Sequence, residues 1–177
     1  MRLAGIISAL AIVLALASPR SAHADDDRAR FSGASFRYAG TSEERAARRA
    51  AIDRGIDSLF FAIRGIARSR LSEGTKIDPW VAFSIDAQTI RVQAPSADAM
   101  SPSSGALVPW GSASDGTKLS QRLEGGKITQ MFIAGEGRRV NEWTLSPDAS
   151  TLSLKVTVSS SKLSHPVVYT LTYERAR

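Results

Sequence analysis

The chain has 177 residues, a formal net charge of +6 and no cysteine. A chain without cysteine cannot hold a disulfide framework, a lipid-modified cysteine or a Cys–His catalytic site. The positive charge is modest and carried mostly by arginine, so it suits an anionic neighbour without specifying one.

Residues 1–24 are typical of a cleavable signal peptide. Arg2 precedes an apolar run over residues 3–17, and Ala22-His23-Ala24 supplies a small-x-small cleavage pattern. The run is shorter than the roughly 20 residues that a membrane-spanning helix needs. We therefore expect cleavage before Asp25 and export to the periplasm or the medium. An uncleaved N-terminal anchor is the alternative, because Arg20 follows the run.

The remaining chain divides into an N-terminal extended segment, residues 25–41, and one domain, residues 42–177. The domain opens with a helix predicted over residues 43–71, with Ser42 as N-cap. Apolar residues at spacings of three and four place one stripe on this helix: Ile52, Ile56, Leu59, Phe60, Ile63, Ile66 and Ala67. Gly55 and Gly65 interrupt the helix and allow either a bend or a close approach of the sheet.

Three arginines, Arg45, Arg48 and Arg49, project on the same side as the apolar stripe, before it begins. One interpretation is that the helix overhangs the sheet there and that Arg49 pairs with Asp53. The other is that the three guanidinium groups flank the mouth of a barrel and meet an anionic head group.

From Pro79 onward the apolar period changes from helical to two. Asp86-Ala87-Gln88 has the length of a hairpin connection, and residues 95–105 are predicted to form an exposed loop. Asp115-Gly116 predicts a turn. Further strands are predicted at 81–85, 89–93, 106–110, 119–123, 127–134, 139–145, 151–159 and 167–173.

The connections between most of these predicted strands are short, and short connections require antiparallel pairing of strands that follow one another in the chain. A twisted meander of such strands tends to close, because closure removes the exposed edges. The predicted fold class is therefore α+β: a long N-terminal helix packed on an up-and-down meander of about eight strands that closes into a barrel-like sheet.

The region Gly116–Arg175, with Asp115 before it, resembles the calycin group in two segments: DGTKLSQRLEGGKITQMFIAGEG and RVNEWTLSPDASTLSLKVTVSS. This group comprises lipocalins and the fatty-acid-binding and nitrobindin-like barrels, and small exported bacterial proteins share its shape. The resemblance implies a β-barrel. It departs from lipocalins at Asp78-Pro79-Trp80, where their Gly-x-Trp motif would stand, and in having its helix first. The haem-binding barrels of the group need a histidine ligand, and His165 is the only histidine after residue 24.

A lone histidine in a predicted turn does not support a Ser-His-Asp triad or a zinc site. Glu124, Glu136 and Glu142 fit turns or outward strand positions, so no carboxylate pair stands out, although an unrecognised carboxylate site remains a third alternative. The sequence predicts no catalytic residue, no metal and no cofactor. It also disfavours nucleic acid, because aromatic residues alternate as core positions and do not interleave with lysines.

The leading hypothesis is an exported, non-enzymatic binding protein for an apolar or amphipathic small molecule, since a closed meander of this size holds about one ligand. The candidate ligand-binding residues are the inward Phe83, Ile90, Leu123, Phe132, Trp143 and Tyr169, with the three arginines above; simple core packing is the alternative for the six. The rival hypothesis is a cell-envelope interaction or structural protein with a filled core, whose partner is an anionic envelope surface.

Overall fold

The computed structural model describes residues 20–112 and 116–176. Most of the predicted signal peptide, residues 1–19, and Asp115 of the predicted turn lie outside them. The helices are α1 Arg20–Phe31, α2 Ser42–Gly55 and α3 Phe61–Gly74. The strands are β1 Ser35–Tyr38, β2 Trp80–Ile85, β3 Thr89–Ala94, β4 Ala97–Pro102, β5 Val108–Pro109, β6 Lys118–Glu124, β7 Lys127–Ala134, β8 Gly137–Leu145, β9 Thr151–Ser160 and β10 Val167–Arg175.

All ten strands form one antiparallel sheet in the order β4-β3-β2-β1-β10-β9-β8-β7-β6-β5. Neighbours in the sheet are neighbours in the chain except at β1 and β10, which pair through Phe36↔Arg175 and Tyr38↔Tyr173. This long-range pair curls the meander into a nearly closed barrel. At the remaining seam, a single bridge, Ser104↔Arg122, links the segment after β4 to β6 in the described chain. The predicted antiparallel meander is confirmed, and the described part of the chain forms ten strands and not about eight.

The predicted single helix over residues 43–71 is wrong, because the chain breaks between α2 and α3. Ser164, in the turn between β9 and β10, donates its backbone N–H and its Oγ to the Gly55 carbonyl, both at 3.1 Å. A Cβ on Gly55 would lie 2.8 Å from Val167 Cγ2, so this glycine serves a close approach to the sheet. The helix therefore ends where the turn that leads into β10 takes over its last carbonyl groups.

The N-terminus of α2 is also tied to β10. The N-cap is Thr41, one residue before the predicted Ser42, and its side chain accepts from Glu44 N. The Glu44 carboxylate then accepts from Thr172 N at 3.0 Å and from Thr172 Oγ1 at 2.6 Å. Both ends of α2 are thus fixed to β10 or to the turn before it.

Two further segments differ from the prediction. The predicted extended segment, residues 25–41, is helical up to Phe31 and then forms β1, so the helix pair α2–α3 lies between two strands and does not precede the sheet. The predicted loop over 95–105 contains β4, whose small side chains Ala99 and Ser101 are buried. Proline and serine suggested a loop there, but register with β3 imposes a strand.

The two ends of the barrel are closed differently. At one end α1 lies against the β6–β7 turn, where Gly126 N donates to Asp27 Oδ2 at 2.6 Å, and Arg30 donates to Ser146 O at 2.6 Å. The opposite end carries α2 and α3. None of the helices in the described part of the chain is long and apolar enough to span a membrane.

Aromatic side chains fill the barrel on the α1 side. Phe83 contacts Phe31, Phe36 and Trp143 with ring centroids 5.3, 6.1 and 5.6 Å apart, all in edge-to-face geometry. Ile90, Ile128 and Leu152 are fully buried around this cluster. The core therefore occupies one half of the barrel and leaves the other half less filled.

Candidate functional site

A cavity of about 430 Å³ lies inside the barrel on the α2–α3 side. Its size falls in the range of small-molecule pockets, roughly 300–1,000 Å³. The mouth is bounded by the C-terminal end of α3 and the chain after it, by the β3–β4 turn, and by Trp110.

Small side chains create this space. The wall formed by β3, the β3–β4 turn and β4 carries Ala94, Ala97 and Ala99 at cavity positions. Aromatic and aliphatic side chains form much of the remaining surface: Trp110, Phe132, Trp143, Leu154, Tyr169, Leu171 and Tyr173. The Trp143 indole N–H is buried and has no hydrogen-bond partner among the described residues. The cavity is thus mainly apolar. Its polar lining comprises Gln130, Asn141 and Arg139 on β7 and β8, and Glu73, Lys76 and Asp78 at the mouth, with Ser96 and Thr117.

A chain of amide side chains crosses three adjacent strands on this wall. Asn141 Nδ2 donates to Gln130 Oε1 at 2.8 Å, and Gln130 Nε2 donates to Gln121 Oε1 at 3.0 Å. Gln121 Nε2 donates across the seam to Ile90 O at 2.8 Å and Ala99 O at 3.2 Å. We call Asn141, Gln130 and Gln121 the amide relay. The relay connects β6 to β3 and β4 by hydrogen bonds across the seam. At this seam the described residues form no continuous backbone ladder.

Arg139 joins this relay to α3. Its Nε donates to Asn141 Oδ1 at 2.9 Å, and its Nη1 donates to Gly74 O, at the end of α3, at 2.7 Å. Arg139 is half-buried and lines the cavity. Among the described residues, no carboxylate lies within ion-pair distance of it. A cation at a helix C-terminus is stabilised by the helix dipole, which partly compensates this charge.

Two tyrosine hydroxyl groups point to the same region. Tyr169 Oη donates to Thr75 O at 3.4 Å, and Tyr173 Oη donates to Asp78 O at 3.2 Å. Burial raises the pKa of both phenols, and the Asp78 carboxylate raises the pKa of Tyr173 further. The charges of Arg139 and Arg48 oppose the shift of the Tyr169 pKa. Both hydroxyl groups are therefore neutral donors at physiological pH.

Three of the six inward residues predicted to bind a ligand line the cavity, and the other three belong to the core or pack against it. Phe132, Trp143 and Tyr169 line the cavity. Phe83 and Ile90 are buried in the core on the α1 side, and Leu123 packs against that core. For these three residues the core-packing alternative describes their position, because the inward face of a strand serves core and cavity alike.

The three predicted arginines do not lie together on the cavity. Arg48 donates to Thr75 O at 2.7 Å and Ser72 O at 2.6 Å, and so caps α3. Arg45 donates to Gly40 O, and Arg49 is exposed. Asp53 pairs with Arg68 at 2.8 Å in place of the predicted Arg49.

The residues that the sequence interpretation missed are polar: Arg139, Asn141 and Gln130. A signal for them existed, because counting back by two from the inward Trp143 gives Asn141 and Arg139, and from Phe132 gives Gln130. The sequence interpretation omits them because it expects inward strand positions to be apolar. In the described part of the chain, no cluster of three His, Asp or Glu side chains could hold a metal ion.

No protein-family model matches the sequence, and neither does any curated protein. Solved structures do match. A secretory abundant heat soluble protein from Ramazzottius varieornatus has a TM-score of 0.51 and 9% identity, over 83% of this chain and 96% of that one. A fatty-acid-binding protein from Schistosoma mansoni, solved with arachidonic acid, has a TM-score of 0.47 and 17% identity, over 85% and 99%. The wild-type fluorescent protein UnaG has a TM-score of 0.49 and 16% identity, over 84% and 98%. The chain has a calycin-type β-barrel fold.

Proposed function

We propose that this chain is an exported, non-enzymatic protein that binds one apolar or amphipathic small molecule in the barrel cavity. The observation that carries the proposal is the cavity of about 430 Å³, whose aromatic and aliphatic wall is combined with polar groups on β7, on β8 and at the mouth. The signal-peptide pattern of residues 1–24 supports export.

The test uses protein exported with its native signal and purified without detergent. Native mass spectrometry beside a denatured sample should reveal a bound mass that leaves on denaturation and so gives its chemical class. Ala94→Trp, which places a large ring in the cavity wall, should abolish that mass. Ser84→Trp, at an exposed outward position of β2, is the matched control and should retain it. A clean unliganded mass, with no thermal shift from fatty acids, haem or isoprenoids, would contradict the proposal.

A second candidate function, contact with an anionic envelope surface, is favoured by one observation. No residue of α3 is buried, and its N-terminal end exposes large apolar side chains: Phe60 at 65%, Phe61 at 74%, Ile63 at 48% and Ile66 at 57%. Exposed apolar side chains beside arginines such as Arg64 and Arg70 are typical of a surface that meets anionic lipid. The filled core that this alternative also assumed is at odds with the cavity.

Sedimentation with vesicles separates the two candidates. Phe61→Ser with Ile66→Ser should reduce binding to phosphatidylglycerol vesicles but leave the bound ligand mass unchanged. Met100→Ser, which removes an apolar side chain 59% exposed on β4, is the control and should change neither. Equal binding to phosphatidylcholine and phosphatidylglycerol would count against an anionic partner.

A further inference from the structure

The C-terminal end of α3 forms part of the cavity mouth through Glu73 and Gly74. No residue of α3 is fully buried, and Leu71 packs partly buried against the core. The C-terminal end of α3 is otherwise held by polar contacts. Two arginines hold its last carbonyl groups. Arg48 reaches them from α2, and Arg139 reaches Gly74 O from β8.

The two arginines differ in what else they touch. Arg48 does not line the cavity, whereas Arg139 does. Of the five N–H groups on the Arg139 guanidinium, Nε–H donates to Asn141 and one Nη1–H donates to Gly74 O. The other donors have no partner among the described residues, and no carboxylate neutralises the charge. Arg139 therefore stands between the cavity and the mouth with unused hydrogen-bonding capacity.

The amide relay fixes how this guanidinium can move. Arginine only donates, and the backbone carbonyls of Ile90 and Ala99 only accept, so the amides between them can point in one direction only. Asn141 therefore presents an oxygen to Arg139 Nε and holds that edge in place. The Nη edge, which binds Gly74 O, is the part of the guanidinium that can change its hydrogen-bond acceptor.

We propose that Arg139 is a ligand-responsive latch: an acceptor oxygen of the bound molecule, carboxylate or carbonyl, takes the Nη edge of the guanidinium in exchange for Gly74 O and releases the end of α3. A carboxylate carries a full negative charge and can accept two parallel N–H bonds from a guanidinium, whereas Gly74 O is a single uncharged acceptor, so the exchange favours a carboxylate ligand. This inference rests on the proposed function and adds the regulation of the same site. By reciprocity, release of α3 must favour ligand binding to the same degree.

Three probes that share one alkyl chain test the exchange: palmitate, methyl palmitate and hexadecylamine. A shift in tryptophan emission, to which Trp110 and Trp143 in the cavity lining contribute, measures binding, and hydrogen exchange at residues 71–77 measures release of α3. Palmitate should raise exchange there about tenfold, a coupling of ordinary size. Methyl palmitate should raise it less, which separates carboxylate from carbonyl as the source of the acceptor. Hexadecylamine, whose ammonium group only donates, should not raise it.

A matched pair of variants isolates the latch. Arg139→Gln should show raised exchange at residues 71–77 without ligand and no further rise with palmitate. Arg48→Gln removes the other cap of the same helix end and should raise basal exchange but keep the palmitate response.

Two outcomes distinguish failure of the latch from failure of the proposed function. If palmitate shifts the tryptophan emission and exchange in the wild type is unchanged or reduced, the latch is wrong and the binding function stands. If no probe shifts the emission, the latch is overturned, and the native mass of the exported protein decides the binding function separately. Because the three-probe comparison uses the unmodified protein, it holds even if a variant fails to fold.

Discussion

At the scale of single residues, the amide relay contributes two buried amides to the lining of the cavity and also contributes to the stability of the barrel. Gln121, Gln130 and Asn141 are at most 4% exposed, yet each is hydrogen-bonded to the next. Burying an amide is tolerable only when it is paired, so the relay must be complete to be stable. Its cross-strand register, Gln121↔Gln130↔Asn141, makes that completeness a property of three neighbouring strands.

Removing the middle amide should therefore be costly. Gln130→Leu leaves Asn141 Nδ2 and Gln121 Oε1 without their partners, and we expect a loss of about 2 kcal/mol in the free energy of unfolding. Urea denaturation measures it. Thr129→Val, on the outward face of the same strand, should change stability by less than about 0.5 kcal/mol. Equal stability of Gln130→Leu and the wild type would show that the relay does not stabilise the barrel.

The buried tyrosines predict a response to alkaline pH. Because the folded-state pKa of Tyr169 and Tyr173 is raised above the ordinary value of about 10, folding favours the neutral phenols. Their contribution to stability is complete below about pH 10 and is lost as the pH rises through the folded-state pKa. Tyrosinate absorbance of these residues should appear together with loss of the circular dichroism signal. Their titration near pH 10 in a still folded protein would contradict this, and the urea-unfolded chain is the control.

At the scale of elements, two helical glycines with similar sequence surroundings have opposite roles. Gly55 meets Val167 and the His165 carbonyl, whereas at Gly65 no atom of the described residues lies within 4 Å of the position a Cβ would take. Gly55 therefore sets how closely α2 approaches β10, whereas the effect of Gly65 is only to lower the helix propensity of α3. Periodicity treats the two alike, because the distinction depends on a strand more than a hundred residues away.

The pair gives a sharp comparison. Gly65→Ala should stabilise the protein by up to about 1 kcal/mol, the difference in helix propensity. Gly55→Ala should destabilise it by about 1–3 kcal/mol, because the new methyl group must displace Val167. Thermal unfolding of the two variants measures both signs. A stabilising Gly55→Ala would mean that α2 does not lie against β10 as described.

At the scale of the whole molecule, the barrel is closed at one end by α1, and its anchors follow the predicted cleavage point. Asp27, Arg30 and Phe31 make its contacts to the barrel, and Phe31 is fully buried against Phe83. Residues 25–177 should therefore be as stable as the full chain in urea. Phe31→Ala in the same truncated protein should lose about 3–5 kcal/mol. N-terminal sequencing of the exported protein should begin at Asp25. A start elsewhere would revise the predicted site.

The local sequence pattern was sufficient to predict those elements whose neighbours in the chain are also their neighbours in space. Alternation over residues 81–93 and 119–173 predicted the strands and their inward faces, and the Asp86–Gln88 link predicted a hairpin that the register confirms. Gly125 and Gly126 have φ values of 57° and 69°, a conformation suited to glycine. These features follow from steric preferences and a period of two, which one sequence displays by itself.

The remaining features were decided by contacts between distant segments. The break between α2 and α3 depends on Ser164, the strand at 97–102 depends on register with β3, and the curled meander depends on β1 meeting β10. The cavity arises because alanines on β3 and β4 face aromatic side chains across the barrel. Arg139 acquires its place from Gly74, 65 residues earlier. No local period encodes such pairs, because hydrogen-bond satisfaction and packing volume are properties of the assembled barrel.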